Sequence, residues 1–251
     1  MDESGMAFAS AAAPRLVILT GAGISAESGL PTFRGVDGLW EGHRVEDVAS
    51  PEGFAQNPHL VQKFYNLRRA ALDQVAPNAA HRALSRLEAE WPGDFVLITQ
   101  NVDDLHERAG SQSLIHMHGE LRKVRCPQCR WKGHWQGDLT METPCPHCKR
   151  TWVLRPDIVW FGEIPMEMDA CFAALREADI FLAIGTSGNV YPAAGFVSHV
   201  AYRPETRRVE LNLEATGNRD FGEVRLGPAG ETVPALVDEL LDHHGRRGDS
   251  V

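Results

Sequence analysis

Cys126 and Cys129 are separated by two residues, as are Cys145 and Cys148, and fifteen residues lie between the pairs. Each Cys-x-x-Cys can present two thiolates to one tetrahedral ion at about 2.3 Å, so this is the spacing of a zinc ribbon. Four protein ligands leave no open position for a reactive water, and the ion is expected to be structural Zn²⁺. Redox thiols or buried apolar cysteines are the weaker reading, because two such pairs at this separation are uncommon. His147, between the last two cysteines, is a further candidate donor. Cys171 falls in a helical pattern beside Phe172 and Leu175 and reads as core.

Around this module the chain has the pattern of an α/β protein. Arg15 to Thr20 reads RLVILT, a short apolar run that ends in Gly-Ala-Gly. Such a run is a buried strand feeding a tight turn and a helix. Similar runs occur at 95–99, 180–184 and 209–213, with helical stretches between them, and imply a parallel sheet covered on both faces. In such sheets ligands gather at the carboxyl ends of the strands. Leu60, Phe64, Leu67 and Ala71 recur at helical spacing and are expected to form one buried stripe. A second helix is expected after Asn78, an N-cap, with Ala80, Leu84 and Leu87 inward. A third carries Val233, Leu236, Val237, Leu240 and Leu241.

The 251 residues suffice for one sizeable core and a small satellite module. The organisation expected is a Rossmann-like nucleotide-binding domain over 14–119 and 156–245, with a helical segment at about 36–76. The zinc-ribbon module occupies 120–155 as an insertion, and the termini 1–13 and 246–251 are expected to be loose. A net charge of −9 argues against a broad nucleic-acid or anionic-membrane surface, and favours small ligands or cationic, lysine-bearing segments as partners. Within this acidic chain, residues 120–155 carry eight Lys/Arg against three Asp/Glu, which reads as a solvated basic face. No apolar run approaches the roughly 20 residues of a membrane span, and the first residues lack a signal peptide's basic flank, so a cytosolic setting is expected.

The turn Gly21-Ala22-Gly23-Ile24-Ser25-Ala26 is a form of the dinucleotide fingerprint, in which glycines let amide N–H groups approach a pyrophosphate. The acidic residue that normally follows about 20 positions on is not evident. Glu41 stands there in a loop-like setting, which weakens a dehydrogenase reading. Gln100, Asn101 and Asp103, after the 95–99 run, are placed to hydrogen-bond a ribose and a carboxamide. An ordinary turn would also use such residues. His118 is one of eleven histidines and has no assigned role from composition alone.

The stretch Gly21 to Gly35, GAGISAESGLPTFRG, resembles the opening signature of the sirtuin family. Gln100-Asn101-Val102-Asp103, Leu105-His106, Ala109-Gly110 and His118-Gly119-Glu120 resemble later ones. So do Val159-Trp160-Phe161-Gly162-Glu163, Gly185-Thr186-Ser187, Asn189-Val190 with Pro192, and Asn212-Leu213-Glu214. The resemblance runs from about Leu16 to Pro234. It implies an NAD-consuming protein-lysine deacylase with structural zinc, whose partners are acyl-lysine proteins or peptides. NAD would be held by Gly21, Ala22, Gly23, Ser25, Ala26, Thr32, Phe33, Arg34, Trp40, Gln100, Asn101, Asp103, Gly185, Thr186, Ser187, Asn212, Leu213, Glu214 and Ala229. His118 becomes the general base, and Val159 to Glu163 pair by backbone with the substrate peptide.

The chemistry so implied begins with the acyl oxygen of the modified lysine displacing nicotinamide from the ribose, giving an O-alkylimidate. His118 takes a proton from the ribose hydroxyls, the 2′-oxygen attacks the imidate carbon, and water completes release of lysine and 2′-O-acyl-ADP-ribose. No hydride moves. Mono-ADP-ribosyl transfer from the same site, or a non-catalytic NAD-sensing adaptor, are the alternatives.

Tyr65 and Arg68, three apart on one helix face, read on composition as an exposed pair beside the buried stripe. They also resemble the Tyr-x-x-Arg of the desuccinylating branch of sirtuins, which grips an acyl carboxylate. Ala49 aligns with a position that is small in that branch. The resemblance therefore implies succinyl, malonyl or glutaryl lysine as substrates besides acetyl-lysine.

Overall fold

A computed structural model describes residues 13–31, 39–40 and 42–244. Its strands, in chain order, are β1 Leu16–Thr20, β2 Leu39–Trp40, β3 His43–Arg44, β4 Phe95–Thr99, β5 Leu114–His116, β6 Gly119–Arg125, β7 Lys132–His134, β8 Arg155–Ile158, β9 Ile180–Ile184, β10 Arg207–Asn212 and β11 Glu223–Leu226. Six form one sheet in the order β11-β10-β9-β1-β4-β5, and every neighbouring pair is parallel.

β1 and β9 are buried at all positions, as continuous apolar runs in a doubly covered sheet should be. Successive β1 side chains feed opposite cores. Leu16 and Ile18 pack with Leu84, Leu87, Val233, Leu236 and Leu240, whereas Val17 and Leu19 pack with Cys171, Leu175, Phe181, Phe196 and Val200. Each such fully buried aliphatic side chain contributes roughly 1.5–3 kcal/mol. Cys171 is core as expected, and burial pushes its thiol up to about 11.

Two edge strands, β5 and β11, were not expected from the sequence. β5 has only three residues, and β11 alternates between half-buried and exposed, so neither has the continuous apolar signature of the inner strands. The fourth expected run begins two residues earlier and stops at Asn212, which leaves Leu213 exposed beyond the strand. Between β5 and β9, β6, β7 and β8 form a separate antiparallel sheet in the order β7-β6-β8.

The segment after β3 is helical at Val45–Val48, Pro51–Gln56, Pro58–Ala71 and Leu72–Gln74, and β2 pairs with β3 as a short hairpin before it. The stripe expected on Pro58–Ala71 is rotated. Val61, Gln62, Phe64, Tyr65 and Arg69 are buried, Leu60 is half-buried, and Leu67 and Ala71 face solvent. The helix is gripped on two sides. Phe64 and Tyr65 enter an apolar cluster with Trp40, Ala49 and Trp160, while polar Gln62, Asn66 and Arg69 turn toward the β6–β8 module. An apolar periodicity cannot register a buried polar face.

The helix Ala79–Glu90 begins at Asn78, with Ala80, Leu84 and Leu87 buried as expected. Asn78 Oδ1 accepts from the Ala80 and His81 N–H groups at 3.0 and 3.3 Å, and its Nδ2 donates to Ile24 O at 2.7 Å. The cap thus ties this helix to the turn after β1. The last helix, Ala229–His244, buries Val233, Leu236, Val237 and Leu240. Thr32, Phe33, Arg34, Glu41, and the expected loose termini apart from Ala13, lie outside the described residues. Among the described residues no helix is long and apolar enough to cross a membrane.

Replacing Asn78 by Ala removes the cap and the bond to Ile24 together. A loss of about 1–2 kcal/mol is expected in denaturant unfolding; an unchanged midpoint would show that the cap does not hold this junction.

Candidate active site

The expected nucleotide residues gather where four adjacent strands end. β10, β9, β1 and β4 finish at Asn212, Ile184, Thr20 and Thr99. The turn after β1 therefore faces Gly185-Thr186-Ser187, Gln100-Asn101 and Asn212 across one rim. Gly21 and Gly23 N–H groups donate to Ile184 O and Gly185 O at 2.9 and 2.8 Å. A Cβ on Gly21 would lie 2.7 Å from Gly185 O, and one on Gly23 2.6 Å from Gly185 Cα. Backbone packing between the two turns thus demands glycine there, whatever ligand lies above.

A polar network fills the base of this rim. Ser25 Oγ donates to Asp103 Oδ2 at 3.0 Å and accepts from Asn101 Nδ2 at 3.1 Å. Burial raises the Asp103 carboxyl, and bonds from the Leu105 N–H and Ser25 oppose that rise. Thr20 Oγ1 donates to Thr99 Oγ1 at 2.9 Å, and Thr99 Oγ1 accepts the Asn101 N–H at 3.0 Å. With its proton so used, Thr20 Oγ1 accepts from His106 Nε2 at 3.1 Å. His81 Nε2 stands 3.5 Å from Ser25 Oγ, and its ring lies 4.9 Å from that of His106. Burial lowers His81 to about 4 and holds His106 well below its ordinary value. Thr20, Thr99 and His81 were missed by sequence reasoning. Buried threonines in strands and a histidine three residues after a cap carry no distinct signal.

Gln100 Nε2 donates to Thr186 Oγ1 at 3.1 Å, and Asn212 Nδ2 donates to Thr186 O at 2.9 Å and to Glu210 Oε1 at 2.8 Å. Ser187, Leu213 and Glu214 are exposed at the rim, Ala22 and Ala26 are half-buried in the turn, and Ala229 starts the last helix, where the Gly230 N–H donates to Glu27 Oε1 at 2.9 Å. Trp40 is placed elsewhere, in the cluster with Ala49, Phe64, Tyr65 and Trp160.

His118 lies between β5 and β6, with Nδ1 3.1 Å from Gln100 O. A carbonyl only accepts, so Nδ1 carries the proton and Nε2 keeps its lone pair. Burial lowers the imidazole below its ordinary value, partly offset by the bond to Gln100. A neutral ring with a free Nε2 is what a general base at neutral pH requires.

The segment Val159 to Glu163 is a turn after β8 rather than a strand, with Gly162 at φ +86°. Its N–H groups are largely taken: Val159 donates to His118 O, Phe161 to Ala49 O, and Trp160 to Glu163 Oε2. Glu163 is held by Arg155 at 2.6 and 3.0 Å and by Arg125 at 3.2 Å, so its carboxylate locks the turn from within. Phe161 and Gly162 are exposed, whereas Trp160 is buried.

Tyr65 is fully buried, not exposed beside the stripe, and Trp160 Nε1 donates to its hydroxyl at 3.0 Å. The Arg68 guanidinium lies 4.3 Å from the Trp40 ring centroid and 5.7 Å from that of Phe64. Burial raises the Tyr65 phenol, outweighing the opposing effects of Trp160 and Arg68, so it remains a proton donor.

The four ribbon sulfurs lie within 4.8 Å of one another, with Cys126–Cys148 at 3.9 Å and Cys129–Cys145 at 3.7 Å. Sulfurs at tetrahedral positions around an ion with 2.3 Å bonds stand about 3.8 Å apart. Each pair sits in the same turn: Arg130 N–H donates to Cys126 O and Lys149 N–H to Cys145 O, with φ of 62° and 63°. Burial raises the Cys145 thiol, but N–H groups of Cys148 and His147 more than offset this and bring it to about 7. The cluster fits a structural zinc ion. His147 is exposed and outside it.

The Sir2 family profile matches residues 21–192. The NAD-dependent protein deacylase of Salmonella typhimurium is 58% identical over 231 residues, 91% of this chain and 84% of its own. That of Bdellovibrio bacteriovorus is 56% identical, spanning 90% of this chain and 97% of its own. Among solved structures, a variant Sir2 homologue in complex with ADP-ribose superposes with a TM-score of 0.84 at 40% identity, covering 92% of this chain and 94% of that one. A Sir2 homolog–NAD complex gives 0.82 at 41% identity, covering 91% and 90%.

Two outcomes follow from this geometry. One zinc per chain is expected by elemental analysis, and Cys126→Ser should lower thermal stability as well as turnover, because ion binding supplies folding free energy to the module; active, stable protein without zinc would contradict this. His81, His106 and His118 have folded values below that of the unfolded chain, so below about pH 6.5 the unfolded state binds protons the folded state does not. Stability should therefore fall between pH 6.5 and 5, by roughly 2 kcal/mol from His81, with His106 and His118 acting in the same direction. His116, which burial lowers but Glu107 raises to a net upward shift, opposes part of this. Unfolding curves that coincide at pH 7.5 and 5 would contradict neutral buried histidines.

Proposed function

The chain belongs to the Sir2 family, and from that premise we propose that it is an NAD-dependent protein-lysine deacylase that removes succinyl groups, together with malonyl and glutaryl, in preference to acetyl. Deacylation is the activity named for relatives more than half identical over nine tenths of this chain. The acyl preference rests on one observation, the convergence of Ala49, Tyr65 and Arg68 in the cluster that also holds Trp40 and Trp160. Small Ala49 leaves length for a four- or five-carbon acyl chain. The guanidinium and phenol offer donors to its terminal carboxylate, and such charge-assisted bonds are about twice as strong as neutral ones.

The residues divide the work by position. The rim of Gly21 to Ser25, Gln100, Asn101, Asp103, Gly185 to Ser187 and Asn212 to Glu214 holds NAD as a consumed co-substrate. His118 Nε2 receives the ribose hydroxyl proton, and its lowered affinity for protons keeps it receptive at neutral pH. The exposed edge of the Val159–Glu163 turn receives the extended peptide. We assign 14–119 and 156–245 to the NAD-binding domain, 120–155 to the zinc module, and the protein to the cytosol, where thiols remain reduced and available to zinc.

Succinyl-lysine peptides should exceed acetyl-lysine peptides in kcat/KM, and Arg68→Met should lower the succinyl-to-acetyl ratio by roughly tenfold to 150-fold. An Arg68→Met protein with the wild-type ratio would remove the carboxylate reading and leave the family intact. His118→Ala should lower turnover by about 10² to 10⁴ while NAD binding, followed by calorimetry, survives. Near wild-type turnover would displace His118 as the base.

A further inference from the structure

Tyr65 and Trp160 meet in the interior, far apart in sequence. The indole Nε1 donates to the Tyr65 hydroxyl at 3.0 Å, with both side chains at most 2% exposed. A phenol has one proton to give and accepts on its oxygen. Because the indole N–H can only donate, the bond occupies the acceptor side of the oxygen and leaves the proton for another partner. Among the described residues, no acceptor for that proton is found.

The indole is itself held from below. Arg155 stacks on the Trp160 ring, its guanidinium carbon 3.2 Å from the centroid, and is fixed by Glu163 at 2.6 and 3.0 Å. Glu163 also accepts the Trp160 backbone N–H at 2.8 Å. Phe54 closes another side, 5.2 Å from the Trp160 ring centre. Ring position and N–H direction are thereby set by a partly buried ion pair at the Val159–Glu163 turn.

We propose that Trp160 is a specificity-determining positioning residue, whose indole N–H turns the Tyr65 hydroxyl proton into the acyl pocket toward a terminal carboxylate. This rests on the carboxylate-clamp reading above and adds a residue to it. Selection then acts in two directions. A carboxylate satisfies the directed proton and is bound more tightly, because a phenol that already accepts a hydrogen bond is the better donor. An acetyl group brings no acceptor to that point, and a desolvated hydroxyl left unpaired carries a free-energy cost.

The experiment measures kcat/KM for succinyl- and acetyl-lysine peptides with the full chain, its zinc and saturating NAD. Wild type, Arg68→Met, Trp160→Phe, Tyr65→Phe and the double variant Trp160→Phe/Tyr65→Phe are compared. Trp160→Phe should lower the succinyl-to-acetyl ratio about threefold to tenfold, mainly through KM for the succinyl peptide. In the Tyr65→Phe background the same change should leave the ratio where Tyr65→Phe put it, since no hydroxyl remains to be directed. A purely structural effect of the smaller ring would lower both activities in both backgrounds. Should Trp160→Phe unfold, benzothienylalanine at position 160 keeps the ring shape and deletes only the N–H, with the same expectation. If Arg68→Met abolishes the succinyl preference but loss of the indole N–H leaves the ratio at the wild-type value, the inference falls and the clamp stands. If wild type shows no preference and Arg68→Met changes nothing, clamp and inference fall together.

Discussion

At the ends of β1 and β9 two backbones lie in contact, Gly23 N–H donating to Gly185 O at 2.8 Å with no room for a Cβ on Gly21, Gly23 or Gly185. Gly185 has φ +62°, a conformation that glycine adopts at little cost. This contact draws the turns after the two central strands together, so the ends of β4 and β10 fall on either side of one opening. Gln100 reaches Thr186, Asn212 reaches the Thr186 carbonyl, and Ser25 links Asn101 with Asp103 only because those turns sit within hydrogen-bond range. The glycine fingerprint thus states a packing requirement as well as access for a phosphate.

A second dependence runs through the helix Pro58–Ala71. On one side Gln62 donates to Leu154 O, Asn66 exchanges bonds with Leu139, and Arg69 donates to Leu121 O and Gly137 O. Burial lowers Arg69 to about 10, so it remains charged at neutral pH. On the other side Tyr65 enters the cluster with Trp160 and Ala49. The zinc module and the cluster that holds Tyr65 are therefore docked to adjacent faces of one helix.

Much of this was legible in the residues. The four inner strands announced themselves as short apolar runs, Asn78 as a cap, and the cysteine pairs by spacing, because each signal arises from local physics. The edge strands β5 and β11 did not, since an edge strand is short or half-polar. The stripe on Pro58–Ala71 was misread because Gln62 and Arg69 are buried through partners distant in sequence, and hydropathy scores such side chains as solvated. The same holds for the threonine–histidine network beneath the rim. Tyr65 looked like a surface residue until Trp160, ninety-five positions later, was found against it. The motif named its pair of residues, and only tertiary packing showed that one of them is buried.

The central claim is that NAD is cleaved in order to remove an acyl group from lysine. Mass-spectrometric counting of products from a succinylated peptide tests it most directly. Nicotinamide, deacylated peptide and O-acyl-ADP-ribose should appear in equal amounts, with none formed when NAD is withheld. Nicotinamide release accompanied by an ADP-ribosylated acceptor and an intact acyl-lysine peptide would contradict it.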